Sequence, residues 1–161
     1  MHAFAAAGAG FLLAVLWFDL MFDVQARRRD AALPANVLAS IAAYYRRVTT
    51  EARPMSALIP LVMLLTLAAL VAEIARGDDP RWIGWASLAL ASTAIGLAMA
   101  RTVRNARRLG RAGDPLAVQT RLARLIYFDH LYCFAAMLAV VGLQLILGVL
   151  QPDGAFANIS L

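Results

Sequence analysis

Four stretches of this chain are each long and apolar enough to pass through a bilayer, and that restricts every later choice. Residues 3–23, 55–75, 82–101 and 125–150 are interrupted by few polar side chains. Each reaches the roughly 20 residues that a helix needs to cross about 30 Å of hydrocarbon. Inside lipid a backbone has no water to bond, so an open sheet is excluded and each segment is read as a helix. The expected fold is an all-α integral membrane protein. It forms one domain over residues 1–161, a four-transmembrane-helix bundle with loops at 24–54 and 102–124. Composition agrees: 62% of the 161 residues are hydrophobic and 16% charged, against about a half and a quarter in a soluble domain. The first segment lacks a basic flank ahead of its apolar part, so a cleaved signal peptide is not expected.

Charge sets the expected orientation. All fifteen basic residues are arginines, and most lie in the two long loops or at their edges. The turn between spans two and three has Arg76 and Arg81, offset by Asp78 and Asp79. The positive-inside rule then puts both loops in the cytoplasm and both termini outside, in what reads as a bacterial inner (plasma) membrane. Arginines flanking apolar segments point to anionic lipid headgroups as partners and away from nucleic acid. A single cysteine, Cys133, excludes an internal disulfide and makes an iron–sulfur site unexpected. His2 and His130 are too few for a multi-haem protein.

The loops carry structure of their own. "LPANVLASIAAYYRRVTT" opens with Pro34 and puts Val37, Ile41, Tyr44 or Tyr45, and Val48 on one face. That spacing predicts a short cytoplasmic amphipathic helix. It either lies on the membrane with Arg46 and Arg47 toward headgroups, or packs as a connector beneath the bundle. "RTVRNARRLGRAGDP" continues span three until Gly110, Gly113 and Pro115 stop it. Small residues recur at four in Ala6, Gly10 and Ala14, in Ser92, Gly96 and Ala100, and in Ala135 and Ala139. Such rows let membrane helices approach closely, and packing within the bundle is their expected use.

The chemistry lies in the polar residues that a membrane makes costly. An ionised carboxylate inside a bilayer costs a few kcal/mol, yet span one keeps Asp19 and Asp23 in "WFDLMFD" and span four keeps Asp129 and His130 in "YFDHLYC". Span one runs inward and span four outward, so both groups fall near the cytoplasmic surface. Positions four apart share a helix face, and the expectation is one pocket holding all four residues. Carboxylates with an imidazole suit a single divalent metal ion, and equally a proton relay. Arg27, Glu51, Arg53, Arg101, Arg104, Tyr127 and Tyr132 are the candidate surroundings. The plainer alternative is that arginines neutralise the acids and fix helix register. Glu73 with Arg76 reads as an exposed outer pair, Gln144 as a bond between helices, and Thr49 or Thr50 as a helix cap.

Three function classes follow. The chain handles a cation or protons at the Asp/His site, serves as an accessory or scaffold subunit of a larger membrane complex, or acts on a lipid-soluble substrate. A homo-oligomer is compatible with each. No H-E-x-x-H, G-x-S-x-G or phosphate-loop pattern occurs in the chain to favour a particular enzyme.

Overall fold

The computed structural model describes residues 1–27, 32–52, 54–77 and 80–150, and every regular element among them is helical. The helices are α1 (His2–Asp23), α2 (Ala35–Arg46), α3 (Met55–Arg76), α4 (Arg81–Leu97), α5 (Val103–Gly110) and α6 (Leu116–Leu150). A 3₁₀ turn, Val24–Ala26, ends α1, and π turns at Arg47–Glu51 and Ala98–Thr102 follow α2 and α4. Four stretches are long and apolar enough to cross a membrane: His2–Ala26, Ser56–Arg76, Arg81–Gly110 and Leu116–Leu150. The molecule is a multi-span helical membrane protein.

Antiparallel connections bring the end of α1, the start of α3, the end of α4 and the start of α6 to one end of the bundle. α6 is 35 residues long, about 52 Å at about 1.5 Å per residue, well beyond the hydrocarbon thickness. Its first turns therefore stand outside the apolar layer, and α5 and α2 pack around them. The continuation of span three through α5 ends where the sequence places its stop, at Gly110. Arg108 then bonds Asp114 through two contacts of 2.8 Å across the turn into α6.

Two buried clusters result, and they are held by different forces. One, between α2, α5 and α6, contains Leu38, Ile41, Tyr45, Leu109, Leu122 and Ile126. It lies at the polar end, where water drives burial at about 1.5–3 kcal/mol per large side chain. The other, including Ala5, Ala9, Leu70, Ala91, Ala136 and Val140, lies within the spans. There lipid is as apolar as leucine, and close packing of small residues does the work.

α2 has docked on the bundle, the connector arrangement. Its buried face is Leu38, Ile41, Ala42 and Tyr45, with Val37, Tyr44 and Val48 at the margin. Gly110 makes this docking possible. A Cβ there would stand 2.8 Å from the Arg46 backbone nitrogen and 3.0 Å from its Cα. These are backbone atoms and have no rotamer by which to yield. Gly110→Ala should therefore destabilise the protein by about 1–3 kcal/mol, and hydrogen exchange should show faster opening of α2 with the spans unchanged. Unchanged protection in α2 would refute the close approach.

Several sequence expectations are corrected. Two of the small-residue rows are out of phase: Ser92, Gly96, Ala100, Ala135 and Ala139 are exposed, whereas Ala91, Ala94 and Ala136 are buried; in the first row Ala6 and Gly10 are partly buried and Ala14 is exposed, beside the buried Ala5 and Ala9. Alanine is so frequent in these spans that more than one face offers such a row, and the pattern cannot choose between them. Glu73 is no exposed pair. It is 1% exposed and accepts a hydrogen bond from Gln144 Nε2 at 3.2 Å, and the same amide donates to Ser87 Oγ at 3.1 Å. Gln144 thus links α3, α4 and α6 across the bundle, the role expected of it. Thr49 does not cap α3. Its hydroxyl turns back to the Tyr45 carbonyl at 2.6 Å inside the π turn.

Candidate functional site

α1 offers Asp19 and Asp23 on one face, near the end of the helix. α6 lies alongside it and presents His130 at the same level. Asp23 is fully buried. Its Oδ2 lies 2.6 Å from His130 Nδ1, and its Oδ1 accepts the Tyr45 hydroxyl at 2.6 Å. An ionised carboxylate can only accept, so the proton between Asp23 and His130 belongs to Nδ1. The lone pair of the neutral ring is then on Nε2. That atom faces Asp19, whose Oδ2 stands 3.9 Å away. Asp19 Oδ1 accepts the Tyr44 hydroxyl at 2.6 Å, and the Tyr44 ring stacks on Phe22 with centroids 4.0 Å apart.

Two phenols from α2 therefore cap two carboxylates from α1. Burial, and then the charge of Asp19, push the Tyr44 phenol above its ordinary range. Burial and Asp23 do the same for Tyr45. Both hydroxyls stay protonated and keep donating. The π turn after α2 carries Val48 and Thr49 beside this group, and the π turn after α4 carries Thr102. π turns recur at functional sites because they re-aim side chains within a helix.

The four residues named from the sequence do not form one pocket. Asp19, Asp23 and His130 meet. Asp129, one residue earlier on α6, is turned to another face by the helical rotation of about 100°. It is paired bidentately with Arg101, and its Oδ2 also accepts the Thr102 hydroxyl at 3.0 Å. Asp129 is 1% exposed while the Arg101 side chain is 49% exposed. This is the register-fixing arginine pair that the plainer alternative foresaw, for one acid of the three.

The surroundings sort in the same way. Arg101 is engaged with Asp129. Arg27 and Arg104 are exposed, whereas Asp23 is enclosed by Tyr45 and His130. Glu51 pairs with Arg46 at 3.3 Å on the surface. Arg53 lies outside the described residues. Tyr127 is buried edge-on to Phe128, and the half-exposed Tyr132 donates to Thr93 Oγ1 at 2.9 Å. The tyrosines that matter are Tyr44 and Tyr45. The doublet itself was the available signal: neighbours on a helix point about 100° apart, so both cannot serve one narrow apolar stripe.

Next to the network is a cavity of about 740 Å³. Leu16, Ile59, Met63, Ile95, Met99 and Met137 supply much of its apolar wall. Asp19, Tyr44, Tyr45 and His130 reach it, while Asp23 stands behind His130 and does not line it. Among the described residues, no group of three or more histidine, cysteine or acidic side chains is arranged to hold a metal ion. The expected metal set has lost Asp129 to Arg101, and Nδ1 of His130 is occupied by Asp23.

Comparison with protein-family models, with curated proteins and with solved structures finds no match to this chain. Fold and site together define its class: a multi-span helical membrane protein with a buried Asp/His network.

Proposed function

We propose that the network exchanges protons with whatever occupies the adjoining cavity, with His130 as the acid–base group, Asp23 as the residue that positions it, and Asp19 as the carboxylate facing it. One observation supports this most directly. A fully buried carboxylate lies 2.6 Å from Nδ1, which fixes the ring and leaves Nε2 toward Asp19, which lines the cavity together with His130. A base oriented by a carboxylate through its other nitrogen is a general arrangement for proton transfer. Of the two kinds of cation handling open from the sequence, protons suit the geometry better than a metal ion. Two groups facing each other 3.9 Å apart pass a proton through one intervening oxygen, whereas a metal ion asks for more ligands than remain.

The test is a pH series on the full chain in nanodiscs, with ¹⁵N-labelled histidine followed by NMR and the carboxyl bands by infrared difference spectroscopy. His130 should change protonation together with a carboxyl band that Asp19→Asn removes. No protonation change at His130 or the carboxyls, at any pH where the protein stays folded, would end the reading.

In this reading the network lies on the cytoplasmic side, because α2, α5 and the start of α6 carry the arginine excess. Cysteines placed in a Cys133→Ala background should label from outside at Asp79 and Asn158, and resist labelling at Ala35 and Ala112. Outside labelling at Ala35 would invert the orientation and put the site on the opposite face. Headgroup binding by the arginines is a separate part of the proposal. Arg107→Gln with Arg111→Gln should weaken retention of anionic lipid at low salt, at roughly 1 kcal/mol per charge.

A further inference from the structure

The cavity differs from an ordinary gap between helices in three respects. First, it lies beside the less buried half of one helix. From Ser56 to Leu65 no described side chain of α3 is fully buried, whereas Thr66, Leu70 and Glu73 are. Pro60, which cannot donate to the Ser56 carbonyl, lies in that less buried half. Second, it is open to the surroundings of the spans. Phe18, Ala57 and Pro60 line it and are also exposed, so α1 and the first half of α3 frame a lateral mouth. Third, its polar groups are gathered at one end and its methionines, Met63, Met99 and Met137, lie along the wall. Methionine adapts its shape to irregular apolar ligands. A volume of about 740 Å³ is that of a small-molecule site.

The polar end selects the headgroup. His130 Nε2 and Asp19 Oδ2 are 3.9 Å apart, too far to bond each other. One hydroxyl oxygen can sit about 2.8 Å from both. A cationic head is opposed by Arg107, which lines the same cavity. An anionic head is opposed by Asp19. With one proton held by the His130–Asp19 pair, a neutral hydroxyl accepts from one of the two atoms and donates to the other. For the imidazole to take its proton the hydroxyl must be weakly acidic, as a phenol with a pKa of about 10 is.

We propose that this cavity binds a lipid-soluble molecule with a phenol-type hydroxyl, of the phenol or hydroquinone class, which enters from the bilayer between α1 and α3 and sets its hydroxyl between His130 Nε2 and Asp19. The assignment rests on the proton-exchange reading for its choice of headgroup. The shape of the cavity does not depend on it.

The probes are 4-octylphenol, octylbenzene and octylamine, added to the full chain in nanodiscs of neutral lipid. Octylphenol should bind saturably, and about tenfold more tightly than octylbenzene, the contribution of one well-made hydrogen bond. Asp19→Leu should narrow that difference, since His130 Nε2 alone is then left to contact the hydroxyl. Ala57→Trp should block both at the mouth, and because Ala57 is exposed its unfolding midpoint should stay near the parent's. Equal binding of octylphenol and octylbenzene by the parent protein would show a slot for acyl chains only and overturn the proposal. Tighter binding of octylamine, or undiminished binding in Ala57→Trp, would overturn it as well. The two readings fail separately. If His130 titrates and octylphenol does not bind, the ligand class falls and proton exchange stands. If octylphenol binds saturably while His130 holds one protonation state throughout, the binding site stands and proton exchange falls.

Discussion

Replacing Arg101 with leucine should lower the stability of the bundle by about 2–3 kcal/mol, measured by unfolding in mixed micelles, because it strands the Asp129 carboxylate. Asp129 is 1% exposed, and its remaining bond would be the 3.0 Å donation from Thr102. Removing one member of a fully buried ion pair typically costs about 3–5 kcal/mol. The figure here is lower because the Arg101 side chain is 49% exposed and solvent weakens its hold. The reverse change should be milder. Asp129→Asn leaves a half-exposed guanidinium free to reach water or headgroups. A double replacement by leucine should recover part of the loss, since neither charge is then left without the other. Equal losses in Arg101→Leu and Asp129→Asn would contradict this account.

Asp23 should divide stability from chemistry. Asp23→Leu leaves two buried donors, the Tyr45 hydroxyl and His130 Nδ1, without the carboxylate each now contacts at 2.6 Å. At about 1–3 kcal/mol for each orphaned group, the expected loss is about 2–6 kcal/mol. Asp23→Asn should cost far less, because an amide fills the same space and still accepts from Tyr45. Its NH₂ group now donates to Nδ1, so the ring proton must move to Nε2. The nitrogen facing Asp19 changes from acceptor to donor, and proton transfer at the site should fall by about 10²–10⁴-fold, the usual worth of a positioned acid–base group. The ¹⁵N shifts of His130 report the tautomer directly. An Asn variant that keeps the parent's tautomer would show that Asp23 does not set it.

Tyr44 and Tyr45 make the site depend on α2. Asp19 and Asp23 each receive one of their hydrogen bonds from that helix, which lies outside the spans and is held largely by apolar burial. Loosening α2, as Gly110→Ala is expected to do, should therefore disturb the network although the residue replaced is on α5.

How far the site was legible in the sequence can be followed residue by residue. The depth of Asp19, Asp23 and His130 was readable because helix rise and segment length convert residue number into distance. That these three meet required α1 and α6 to be neighbours, and no pattern of apolar residues states which of four spans touch. Asp129 left the set for a reason of rotation. It lies beside His130 in the sequence, but about 100° away on the helix it meets α4 and Arg101.

What the sequence determined by itself was the class of the protein and the end of the bundle at which its buried Asp/His network lies. Apolar length forces four helices, and the expense of intramembrane charge singles out the residues that need an explanation. The tertiary structure alone decided which charges pair, that Glu73 is buried against Gln144, that two tyrosines cap the acids, and that a cavity lies beside the first half of α3. The physical reason is common to all four. Lipid-facing and helix-facing surfaces in a membrane are almost equally apolar, so hydrophobic patterning does not mark the inward face. Packing of specific side chains decides it, and that information is pairwise between segments distant in the chain.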